Sequence, residues 1–198
     1  MYVTLSFKFN TREEVERFLM FIEKHVKTTY IVSTRLTHVY VQLEGEGEEL
    51  EDAVALVKRL AGLAREGRGV VQVPLLVLFR DAELTRPIPP DVVADALRFK
   101  GFFAEVQEDV LETELSYEEV LEAAEALSKM YEEAEKHPLT PQAKRVVVAY
   151  AYAREISIEM AIEELVRAGI LGRGAVISLR HSPKEARRLL FENLNNLR

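Results

Sequence analysis

Histidines, paired carboxylates and a late cluster of arginines and lysines are the side chains that could do chemistry in this sequence. His25, His38, His137 and His181 are scattered, and none has a histidine or cysteine partner at the short spacing with which a helix turn or loop grips a metal. His38 falls in an alternating segment and is expected to be a solvated strand residue. There are no cysteines, which removes disulfides, thiolate zinc sites and cysteine nucleophiles together. Glu108, Asp109, Glu112 and Glu114 supply carboxylate pairs of the type general acid–base catalysis uses. In so charged a chain they read first as a solvated, ion-paired face. The GEGEE and GRG stretches lack a following helix with a lysine, so they read as turns and not as phosphate loops. No catalytic residue, metal site or cofactor is expected.

Charge is the remaining chemistry. Residues 1–80 are neutral, residues 81–139 carry 16 acidic and 5 basic residues, and residues 140–198 carry 10 basic and 6 acidic residues, within an overall net charge of −7. Arg173, Arg180, Lys184, Arg187, Arg188 and Arg198 fall close together near the end, against Glu185 and Glu192 alone. Arg180, Lys184, Arg187 and Arg188 approximate one helical face with its preceding turn, a layout suited to RNA phosphates. The competing expectation is internal: this end packs on the acidic segment. A second nucleic-acid surface would be the open face of an N-terminal sheet, with Tyr2, Tyr30 and Tyr40 beside Lys8 and Arg35 as a base-stacking platform. Against it, the glycine-aromatic strand signature is absent, and the tyrosines are expected to be half-buried.

The elements that must position these groups are legible in the hydrophobic pattern. Val3, Leu5, Phe7 and Phe9 alternate with polar residues as in a one-sided strand. Thr11 with Glu14 forms a capping box before a helix carrying Val15, Phe18, Leu19, Ile22 and Val26. Strands are expected at 29–36 and 38–43, a second helix after the glycines at 45–49, and a fourth strand across VVQVPLLVLF, where Pro74 demands a sheet edge. That order, β-α-β-β-α-β, is the ferredoxin-like one. From Val70 a second β-α-β-β-α succession follows at an offset of roughly 68 residues, a candidate duplication. It runs through a helix opened by Pro89 or Pro90, a strand pair, and a long helix from Tyr117 to about Glu135.

The last sixty residues read as helical. Thr140 and Pro141 start one helix, Ser157 another that Gly169 ends, and Ser182, Pro183 and Glu185 start a closing helix with Ala186, Leu189, Leu190, Leu194 and Leu197 on its inner stripe. A turn and a short strand lie between the last two. A helix-turn-helix over 140–179 would place Glu159, Glu163 and Glu164 on its recognition helix, which argues against sequence-specific DNA binding. The stretches IPPDVVADALRFKGFFAEV, LTPQAKRVV and SIEMAIEELVRAGIL resemble an archaeal family of uncharacterised proteins, a domain of unknown function frequent in crenarchaeal hyperthermophiles. That resemblance implies an archaeal, cytoplasmic setting and no established activity, and it carries over no catalytic residue.

The sequence thus sets out an α+β protein in three segments: a ferredoxin-like module at 1–80, an acidic α/β module at 81–139 and a basic helical region at 140–198. With 48% hydrophobic residues it can bury a substantial core as one domain or two. Few amides and 30% charged residues suit a thermophile. The longest apolar runs are too short for a bilayer, and the start at Met1 has no basic or apolar leader, so a cytoplasmic protein is expected. The functional expectation is a non-enzymatic RNA- or ribosome-associated accessory factor. Its basic end would contact phosphates, and its acidic block would face basic proteins. The alternative is a protein–protein or small-ligand module acting through its sheets, with homo-oligomers included. An enzyme would need a buried carboxylate or histidine in a concave pocket.

Overall fold

In the computed structural model, which describes residues 1–67 and 69–196, the alternating start of the chain forms strand β1 (Tyr2–Lys8). Thr11 caps helix α1 (Arg12–His25), its hydroxyl accepting the Glu14 N–H at 3.2 Å. Strands β2 (Tyr30–Arg35) and β3 (His38–Glu44) make a hairpin around Leu36, whose φ of 55° supplies the left-handed residue that a tight turn needs. Helix α2 (Gly47–Ala64) then packs on α1. The buried Glu14 carboxylate accepts the N–H groups of Asn10 at 2.8 Å and Glu66 at 2.9 Å, tying the start of α1 to the chain beyond α2.

This sheet is antiparallel with order β1-β3-β2. Val3, Leu5 and Phe7 share one face with Leu43, Val41 and Val39, and Phe18 of α1 packs on that side, its ring 5.0 Å from Phe7 and 5.1 Å from Phe9. The fourth strand of a ferredoxin-like unit does not join it. Strand β4 (Val71–Pro74) pairs instead with β6 (Val110–Thr113), which also pairs with β5 (Ala104–Gln107), giving a second antiparallel sheet of order β4-β6-β5. Pro74 ends the ladder and, with φ −61°, starts helix α3 (Leu75–Asp81). The run from Val73 to Phe79 is apolar throughout, so it has no period that separates a strand from a helix. Pro74 does occupy an edge, but of the second sheet.

Both sheets share one topology, a β-α-β-β-α succession with the third strand in the middle. The second unit adds α3 ahead of helix α4 (Pro90–Phe99) and closes with helix α5 (Tyr117–Ala134), whose start is a capping box between Ser116 and Glu119. A buried polar strut joins the two units. Asp81 of α3 pairs with Lys24 at 2.5 Å, meets His25 Nε2 at 3.1 Å and accepts from the Tyr117 hydroxyl. Burial lowers the His25 pKa, with Asp81 opposing. Burial would raise Asp81, yet the bonds from Lys24, Tyr117 and His25 bring it below the ordinary carboxylate value.

Helix α6 (Pro141–Arg154) is the central helix. Val146, Val147, Val148, Ala149, Tyr150 and Ala151 are all buried, wider than the single stripe read from sequence, because it packs against α4, α5 and two later helices. These are α7 (Ile158–Arg167) and α8 (Pro183–Asn196), separated by a hairpin of β7 (Leu171–Arg173) and β8 (Ile177–Leu179) where one strand was expected. Ala186, Leu190 and Leu194 bury the inner stripe of α8. One apolar cluster extends from Phe7 to Leu194.

Candidate nucleic-acid interface

The site is assembled where α8 lies across α4. Helix α4 ends on Gly101, at φ 100°, with the Gly101 N–H donating to the Arg98 carbonyl at 2.9 Å and the Phe102 N–H to the Leu97 carbonyl at 3.1 Å. This paired ending turns the chain sharply at a position that suits glycine. Phe103 is then anchored through its backbone: its N–H donates to the Glu114 carboxylate at 2.9 Å and its carbonyl accepts from the Thr113 hydroxyl at 2.8 Å. Both segments are fixed, yet Phe102 and Phe103 stay 39% and 44% exposed.

On α8, Lys184, Arg187, Arg188, Phe191 and Asn195 recur at i, i+3, i+4, i+7 and i+11, one face of a helix. Two concavities of about 340 Å³ and 280 Å³ lie between this face and α4, and both are lined by Arg98 and Phe191. Lys184, Arg187 and Arg188 line the first. Phe102, Phe103 and Asn195 line the second, together with one exposed carboxylate, Glu105. The two concavities adjoin at Arg98 and Phe191 and form a groove with cations toward one end and phenylalanine rings toward the other.

Ion pairs shape the cationic end. Arg98 reaches one oxygen of Asp95 at 2.6 Å and Arg187 the other at 3.0 Å, so two guanidiniums share one buried carboxylate. Burial lifts the Asp95 pKa above the ordinary carboxylate value, with the two arginines opposing. Arg188 sits between Glu185 at 2.5 Å and Glu192 at 2.7 Å on the surface of α8. Lys184 has no ion pair among the described residues.

Three of the six basic residues singled out by sequence, Lys184, Arg187 and Arg188, therefore come together. Arg173 lies at the end of β7, lining a separate concavity with His137 and Glu163. Arg180 lies over Gly172, where an added Cβ would meet its Nε at 3.0 Å. Arg198 lies outside the described residues. The internal docking that competed with RNA contact is also present, since α8 packs on α4 and Arg187 pairs with Asp95 of the acidic segment. Sequence reasoning missed Arg98, Phe102, Phe103 and Phe191. Phe191 did leave a signal: it falls off the Ala186, Leu190 and Leu194 stripe, among the cations.

The open face of the first sheet is the second surface. Lys8, His38 and Arg35 align across β1, β3 and β2, and Ser6, Tyr40 and Ser33 form the next row. Tyr2 and Tyr40 are exposed there, against the expectation that they would be half-buried. Tyr30 does not belong to this face, because its pairing with Leu43 turns it to the covered side. The corresponding face of the second sheet carries Gln72, Glu112 and Glu105 in one row and is acidic. Among the described residues, no three histidine, aspartate or glutamate side chains gather to hold a metal ion, and no helix is long and apolar enough to cross a membrane.

Residues 7–188, which run from the end of β1 through the second unit to Lys184, Arg187 and Arg188 of α8, match a family described as uncharacterized protein conserved in archaea (DUF2067). The chain belongs to this archaeal family. That agrees with the resemblance read from its helix-capping and packing stretches. No curated protein matches this DUF2067 chain. Among solved structures, a chain of the a/eIF2alpha-aDim2p-rRNA complex from Pyrococcus horikoshii OT3 matches at 13% identity, over 85% of the DUF2067 chain and 94% of its own length, with a TM-score of 0.24. A likeness at that level carries no argument about fold or function.

Proposed function

We propose that the protein is a non-enzymatic, cytoplasmic RNA-associated accessory factor that works on ribosomal particles and grips RNA phosphates with the outer face of α8. The observation that carries this reading is the convergence of Lys184, Arg187 and Arg188 with Arg98 along one groove. Phosphate oxygens are the ligands such a set of donors fits, and contacts of this type position a protein on RNA without reading its sequence. The pairing of Arg188 does not oppose this. Exposed ion pairs are worth about 0–1 kcal/mol, so a phosphate displaces Glu185 or Glu192 at small cost. Lys184 has no carboxylate to give up among the described residues.

The test is sedimentation of the protein with ribosomal subunits at low salt and after a 0.5 M salt wash. Salt-reversible co-migration supports the reading, and sedimentation as a free protein under both conditions contradicts it.

A second reading rests on the uncovered first sheet, where Tyr2 is 61% and Ile31 65% exposed. A protein partner or a second copy would cover that face. Measurement of the mass in solution at high salt tests it, since a dimer held by this sheet survives salt and a phosphate-bound complex does not.

A further inference from the structure

We infer that the groove between α4 and α8 binds single-stranded RNA, with unpaired bases on the rings of Phe102, Phe103 and Phe191 and the backbone on Arg98, Lys184 and Arg188. The inference rests on the proposed RNA-associated function and adds the class of RNA and the way it is held. Its basis is the aromatic end of the groove, which phosphate contact alone does not explain.

Three phenylalanines line the groove with 39%, 44% and 43% of their surface in water. None of them is a residue the core failed to accommodate. Phe102 and Phe103 follow a glycine-specific helix ending and are held by their backbones, and Phe191 sits on the outer face of a helix whose inner stripe is already apolar. A fixed backbone at these positions leaves only side-chain rotation to be ordered when a flat ligand stacks on the rings. Phenylalanine offers no hydrogen-bonding group, which suits sequence-tolerant stacking.

The cations decide between RNA and an apolar peptide. Arg98 and Phe191 line both concavities, so a ligand on the rings extends directly past Arg98 toward Lys184 and Arg188. Alternation of flat apolar bases with an anionic backbone matches that order of groups. A duplex does not, because its bases are stacked inside and its deep major groove is closed to side chains. Glu105 and the shared Asp95 are the carboxylates in the groove. Asp95 is already bound by two guanidiniums, and Glu105 marks the end away from the phosphates.

The test compares the full chain with Phe103→Leu/Phe191→Leu and Lys184→Glu by fluorescence anisotropy. The probes are a labelled 12-nucleotide single-stranded mixed-sequence RNA and the 12-base-pair duplex of the same sequence. The wild-type protein is expected to bind the single strand at least tenfold more tightly. The double leucine variant, which keeps apolar bulk, is expected to lose that preference while retaining duplex binding and its melting temperature. Lys184→Glu is expected to weaken both probes alike. A single-strand preference unchanged in the leucine variant overturns the inference and leaves the phosphate-binding reading standing. Binding to neither probe overturns both.

Discussion

Arg187 of α8 and Asp95 of α4 meet at 3.0 Å, and the carboxylate is only 8% exposed. This contact sets α8 across α4 and so defines the groove. It also gives Arg187 a structural duty that Arg188, its neighbour in sequence, lacks.

Arg187→Glu is therefore expected to cost about 3 kcal/mol, because it sets a second carboxylate against a buried one. Arg188→Glu should cost below about 1 kcal/mol, since its pairs with Glu185 and Glu192 are exposed. Urea titrations of both variants measure the difference. Equal losses would contradict the structural role of Arg187.

The strut between the two units makes stability fall on acidification. His25 is held below its unfolded pKa, so its contribution is lost as pH drops from about 6.5 toward the folded value. Asp81 is likewise held below its unfolded value, and its contribution is lost further down, below about pH 3.8. Melting temperature followed from pH 8 to pH 3 should decline in those two windows. Asp81→Asn should lower stability at pH 7 by about 2 kcal/mol and shrink the lower window, which the buried Glu14 carboxylate, also held below its ordinary value, shares.

Ser128 of α5 is buried, accepting the Arg86 N–H at 2.7 Å and donating to the Arg86 carbonyl at 2.7 Å. These bonds fix the connection between α3 and α4. Ser128→Ala leaves both backbone groups without that partner and should destabilise by about 1–3 kcal/mol. Hydrogen exchange of the Arg86 amide should rise with it.

Much of this architecture was legible because local signals agreed. Thr11, Thr140, Ser157 and Ser182 all precede helices that begin where capping places them, and the hairpin of β2 and β3 follows its alternation. The misreadings share a cause. The run from Val73 to Phe79 has no polar residue to reveal a period, so only pairing with β6 separates its strand from its helix. Residue type alone puts Tyr30 on the open face, whereas its side is decided by register with Leu43. The groove was half legible: helical spacing aligned Lys184, Arg187 and Arg188, but Arg98 and the rings of Phe102 and Phe103 join them only through the packing of α8 on α4.

Gly101 tests that packing from the other side. Its φ of 100° is costly for an L-residue, so Gly101→Ala should destabilise by about 1 kcal/mol. Displacement of Phe102 and Phe103 should weaken single-stranded RNA binding beyond what the lost stability explains, as read by anisotropy at a temperature where the variant is fully folded.

The most direct test of phosphate contact by α8 is the salt dependence of RNA affinity, measured between 50 and 200 mM salt for the wild-type protein and for Lys184→Glu/Arg188→Glu. Each phosphate contact adds roughly 0.7–0.9 to the slope of log affinity against log salt. The wild-type slope should be steep, and the variant should bind more weakly with a slope shallower by about 1.4–1.8. A slope and affinity identical in the two proteins would place RNA contact elsewhere and contradict the account.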